Sequence, residues 1–259
     1  MSAEAPRRLI VNWQSEAPRE FLPVAELVVT KAAEGELFEF GYLEGVRAAL
    51  EKGFQPFLAF PDLDRRYAGS ALFPFFQNRV LPTTRPDYLD YVAALGLNAE
   101  TASVVELLGR SEGRRHTDRI ETVLAAQRDL ATGRYVTRFL ARSVHHVLGA
   151  ENTILGLQEG NTLEATLDSA NLKNPRARLL RFGDDAVGFV PDYLLADVEA
   201  LDRGDAGPTF VVERINPPPH PAHQRILVRL DAEWPDGFEP YHAESFQPYR
   251  AESKERLAG

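Results

Sequence analysis

Apolar and polar residues alternate with a period of two in several short stretches of this chain. A period of two puts one face of an extended strand in a core and the other in water. "ELFEFGY" (36–42) is such a stretch, and before it the apolar runs of "RRLIVNW" (7–13) and "REFLPVAELVVT" (19–30) predict a pair of strands. "LEGVRAALEKGF" (43–54) changes to a helical period, and Gly53 stands where a helix closes. "QPFLAFPDLDRRY" (55–67) then predicts a strand that stops at Pro61. Two short helices are predicted next: "YLDYVAALG" behind a cap at Asp87, and "NAETASVVELLGR" starting near Asn98. Strands followed by helices make residues 1–110 a small mixed α/β domain of the α+β class.

Residues 111–133 are rich in arginine and end at "ATGR", which predicts a helical linker rather than a core. The strand pattern returns over 134–259. "RYVTRFLARSVHHV", "NTLEATLDSA", "RARLLRF", "AVGFVP", "TFVVERI" and "RILVRLDAEW" predict six strands, with one helix at "DYLLADVEAL". So many short strands with one helix fit a small, closed or partly closed β-barrel better than a layered parallel sheet. "NPPPHPAH" (216–223) reads as a rigid loop.

Composition narrows the function. The 259 residues contain no cysteine, so disulfides, thiolate metal sites and a cysteine nucleophile are excluded. Neither an apolar leader nor a membrane-length apolar run is visible, and the chain reads as soluble and cytoplasmic, without a membrane partner. A formal charge of −9 opposes non-specific attraction to a polyanion. Locally the balance inverts: eight arginines between Leu107 and Leu148 face four carboxylates, with His116, His145 and His146 among them.

Chemistry-bearing groupings are sparse. Ser143 close to His145 and His146 lacks the sharp turn that exposes a nucleophile. His220 and His223, three apart in a proline-rich loop, sketch a metal site with Glu213 but without a third placed ligand, and Asp184-Asp185 is a pair that turns favour for their local hydrogen bonds. No glycine-rich nucleotide loop is present, and no cofactor is called for. The chain therefore reads as a binding protein and not an enzyme.

Two resemblances sharpen this. The order strand, Asn171-x-x-Asn174-Pro175, strand, polar turn, "VGFVP", helix and two more strands resembles a HIRAN domain over about 133–234, with Asn174, Pro175, Gly188, Pro191 and Leu194 at the pattern positions. Arg176 and Ala177 stand where that family commonly has an aromatic residue and an aspartate. The resemblance implies an OB-like barrel that binds DNA, with single-stranded 3′ ends as the ligand in helicase-like members. The candidate contacts are Arg142, His145 and His146 on the first strand, Arg176, and Tyr193 at the helix start. The block from about 8 to 109 resembles the N-terminal subdomain of HipA-type toxin kinases. Phe75, Phe76, Asn78, Leu81 and Pro82 carry that likeness, with the preceding "LF" adding Leu72 and Phe73 as further core or docking residues. The kinase core is not among these residues, so the likeness implies a module that docks on, or regulates, a separately encoded HipA-type kinase. The sequence thus supports two functions: binding of single-stranded DNA or DNA ends, or interaction with a partner kinase.

Overall fold

The structure is a computed structural model that describes residues 5–17, 19–33, 35–115, 117–172, 174–202 and 207–251. Both of its sheets are antiparallel, and the chain is mixed α and β throughout. It forms two compact units, and neither is one continuous stretch of chain. The first takes the described residues of Met1–Leu81, Val104–Ala125 and Tyr241–Gly259, and the second those of Pro82–Ser103 and Ala126–Pro240.

In the first unit, strands β1 (Arg7–Gln14), β2 (Phe21–Ala32), β3 (Gly35–Tyr42), β4 (Tyr67–Gly69) and β5 (Ile120–Leu124) make a sheet in the order β4-β3-β2-β1-β5. Pro23 lies within β2, opposite Asn12, where the register with β1 slips between Val11 and Asn12. A bulge is where a strand tolerates a residue without an N–H. Helix α1 (Val46–Glu51) follows β3, and α2 (Pro74–Gln77) holds the "PFFQ" of the kinase-like phrase.

The predicted strand at 55–67 is instead a series of turns. Its aromatics read as strand residues, but they fold over the sheet. The Phe60 ring stacks on Phe40 at 3.8 Å, the Phe57 N–H donates to the Tyr42 hydroxyl, and that hydroxyl donates to the Phe60 carbonyl. Leu72 and Phe76 are buried in this cluster, with Phe73 and Phe75 packed against it, so "LFPFF" is core.

The predicted helical linker at 111–133 is also corrected. Helix α4 (Val104–Ser111) ends at its start, and its middle is the edge strand β5. Apolar Ile120 and Val123 and the buried Thr122 hydroxyl, which donates to the Leu108 carbonyl, draw this stretch into the first unit. The C-terminal tail is corrected too. Residues 241–251 belong to the first unit, where the Glu44 and Gly45 N–H groups donate to the Gln247 and Ser245 carbonyls and Tyr249 N–H donates to the Tyr42 carbonyl. Helix α3 (Tyr88–Ala94), expected in the N-terminal domain, falls in the second unit, where the buried Asn216 amide donates to the Ala94 carbonyl. Asp87 stands at its cap position but pairs with Arg85 and makes no capping bond.

The second unit contains all six predicted strands: β6 (Tyr135–Leu140), β7 (Thr162–Leu167), β8 (Arg178–Phe182), β9 (Asp185–Phe189), β10 (Thr209–Ile215) and β11 (Ile226–Ala232). Their order is β6-β11-β10-β7-β8-β9. Helices α5 (Ala150–Gly156) and α6 (Leu195–Leu201) bury Ile154, Val198 and Leu201 in a core with Phe139, Leu180, Val187, Phe210 and Val228. The sheet is an open ladder; among the described residues no ladder joins β6 to β9, so a closed barrel is not seen. The two edges touch at one point, where Arg142 and Phe189 exchange both backbone hydrogen bonds at 2.9 Å.

Candidate nucleic-acid interface

Gly188 creates that contact between edges. Its φ is +155°, and a Cβ there would lie 3.0 Å from the Arg142 carbonyl oxygen and 3.2 Å from Ala141 Cβ. The β8–β9 register also slips beside it, between Leu180 and Arg181. Close approach and a bulge, the two uses of a strand glycine, therefore coincide. The seam fixes the backbone of Arg142, and its guanidinium carbon lies 5.9 Å from the centroid of the Tyr193 ring, within cation–π range.

His145 and His146 are not on the first strand. The chain turns at Ser143, whose φ of 56° is left-handed, and residues Val144–His146 form a single 3-10 turn. Val144 is buried there, while both histidines are exposed with their ring centroids 3.8 Å apart. The alternating pattern of "RYVTRFLARSVHHV" breaks because Arg142 pairs with the opposite edge and the strand cannot run on.

Arg176 lies on a loop ordered by Asn174. The Asn174 side-chain oxygen accepts the Arg176 N–H at 3.0 Å, and its amide donates to Asp192 Oδ1 at 2.8 Å. Asp192 makes no capping bond and instead ties this loop to the turn Asp192–Leu194 that carries Tyr193. The Arg176 guanidinium itself grips Glu199 of α6 with two bonds of 2.8 Å. That grip, and to a lesser extent Asp192, pushes the Arg176 pKa above its usual value. The fold thus links Arg142, Tyr193, Asp192, Asn174 and Arg176 through successive contacts and chain neighbours. His145 and His146 follow Arg142 by three and four residues, and among the described residues no hydrogen bond or ion pair ties them to Arg176, whose hydrogen bonds go to Asn174 and Glu199.

The arginine-rich segment is not one basic surface. It is divided between the two units, and Arg114, Arg119, Arg134 and Arg138 are held by Glu121, Glu16, Asp231 and Glu213. His116 lies outside the described residues. Sequence reasoning missed Glu199, whose partner is 23 positions away, and also the buried Asp197, which accepts the Tyr135 hydroxyl at 2.9 Å.

The remaining groupings are structural where they are described. Ser143 meets His146 through the backbone, the His146 N–H donating to the Ser143 carbonyl. Glu213 pairs with Arg138, and the His220 carbonyl accepts the buried Arg225 guanidinium. Among the described residues no group of three or more histidines and carboxylates is placed to hold a metal ion. Gly183 and Asp184 form the tip of the β8–β9 hairpin, with Gly183 at φ 59°. Among those residues, too, no helix is long and apolar enough to cross a membrane. Comparison with family models, with curated proteins and with solved structures finds no match to this chain.

Proposed function

We propose that the second unit binds single-stranded nucleic acid, DNA strands or ends foremost, and that the protein works as a binding accessory and not as an enzyme. The observation that carries this reading is Arg142 at the seam: a cation with a locked backbone, set against the Tyr193 ring, with two exposed imidazoles following it on the same turn. Guanidinium groups recognise phosphate in bidentate fashion, and aromatic or imidazole faces stack on bases whatever their identity. Backbone charge with stacking surfaces suits single strands rather than the edges of a duplex.

A HIRAN-like, OB-like barrel is the architecture we favour for this unit. Its support is the strand and turn order after Gly133, the Asn174-Pro175 loop, and the meeting of the two sheet edges at Gly188. Docking on a HipA-type kinase is the weaker proposal, because the phenylalanines that would have formed an apolar patch are core.

Fluorescence anisotropy of a short labelled strand, with its 3′ end free or blocked and at two salt concentrations, tests the reading. With the whole protein at −9 and few phosphate contacts, binding is expected to be modest. Each contact adds about −0.7 to the slope of log affinity against log salt. Arg142→Ala and Arg176→Ala weaken binding, while Arg19→Ala, an exposed arginine of the first unit, leaves it unchanged. Absence of binding by the unaltered protein at low salt overturns the proposal.

A further inference from the structure

We infer that Glu199 is a built-in competitor for the nucleic-acid phosphate, holding the Arg176 fork until a strand takes its place. This rests on the nucleic-acid reading above. The two carboxylate oxygens of Glu199 accept from Nε and Nη2 of Arg176, both at 2.8 Å, which is the arrangement that two phosphate oxygens would adopt. The side chains are 51% and 40% exposed, so a strand can reach the fork, and the displaced carboxylate returns to water without burial.

The stem and the head of Arg176 are held separately. Its backbone N–H is fixed by Asn174, whose amide is anchored on Asp192 beside Tyr193. Among the described residues the guanidinium's hydrogen bonds go to Glu199, with Asp192 adding only a weaker attraction, so it can change partner while its Cα keeps its place relative to Tyr193. Helix α6 does not need the pair to stay seated. Leu195, Val198 and Leu201 are buried beneath it, and Asp202 at its end faces Arg178 at 3.5 Å. A clasp serving only to hold the helix would duplicate what these residues already do. As a competitor, Glu199 lowers affinity for any strand and sets a threshold that weakly contacting ligands do not cross.

The test is anisotropy of the same labelled single strand at low salt on the full chain, together with denaturation midpoints. Glu199→Gln keeps the shape and removes the charge, and it is expected to tighten binding about twofold to fivefold, the range that an exposed ion pair is worth. Asp184→Asn removes an equal charge at the hairpin tip and is expected to change nothing. In an Arg176→Ala background the Glu199→Gln gain is expected to vanish, because a competitor without its arginine has nothing to block. If the unaltered protein binds and Glu199→Gln does not bind more tightly, or tightens equally without Arg176, the inference is overturned while the nucleic-acid reading stands. A lowered midpoint with unchanged affinity makes the pair a helix clasp and overturns it likewise. If neither the unaltered protein nor Glu199→Gln binds, the nucleic-acid reading falls and takes the inference with it.

Discussion

Replacing Gly188 by alanine tests the seam on which the candidate interface depends. The new methyl group would meet the Arg142 carbonyl oxygen at 3.0 Å, Ala141 Cβ at 3.2 Å and Val144 Cγ2 at 3.5 Å, and the φ of +155° is one that L-residues rarely adopt. Two of these three neighbours belong to backbone or to a short buried side chain, so neither can swing aside. A residue forced into such a backbone region costs about 1–3 kcal/mol. The crowding acts on the Arg142–Phe189 bridge, the backbone pairing seen between the sheet edges among the described residues, so the strain is relieved by opening it. Urea denaturation followed by Trp234 fluorescence in a Trp13→Phe background reports on the second unit, because each unit holds one of the two tryptophans. Gly156→Ala, at the end of α5 with no neighbour within 4 Å of the new methyl, is the control and is expected to be neutral or stabilising. Gly188→Ala is expected to lower the midpoint and to weaken strand binding in step. An unchanged midpoint, or a loss no greater than that of Gly156→Ala, would refute the steric argument.

Three further outcomes follow from the first unit. Ending the chain after Pro240 removes the strap at Gln247, Ser245 and Tyr249, and should lower the transition seen by Trp13 while leaving that of Trp234 in place; equal loss at both reporters would contradict the assignment of the tail. Arg79→Met removes the guanidinium of a side chain that is 3% exposed and that grips both Asp118 oxygens and the Gly113 carbonyl, which should cost about 1–3 kcal/mol in chemical denaturation. Burial pushes the Tyr42 phenol up to about 12 from its usual 10. The unfolded chain then ionises first, so stability holds below pH 10 and declines as pH rises from 10 to about 12; Tyr42→Phe should flatten that decline, and an unaltered profile would count against it.

Much of the strand content was legible because a period of two is a local signal. "TFVVERI" and β10 coincide residue for residue, and "AVGFVP" covers all of β9 but its first residue. What the pattern missed depends on distant partners. "QPFLAFP" is apolar because its aromatics cover a sheet, and no local rule separates a covering turn from a strand. Helix α5 is short and half polar, so its period is faint. The unit boundaries were missed because residues 82–103 and 241–251 return to segments far away in sequence. Within the site, Arg142, Arg176 and Tyr193 could be named from residue type and motif order. The Glu199 grip, the Asp192–Asn174 tie and the move of the histidines onto a turn needed three dimensions.

Photo-cross-linking of a single strand to the intact protein, with the attached peptides mapped by mass spectrometry, addresses the proposed interface most directly. The account predicts adducts within the second unit, on peptides containing Arg142 to His146, Arg176 and Tyr193, lost at high salt and reduced by Arg142→Ala. Adducts concentrated in the first unit, or undiminished by that substitution, would contradict it.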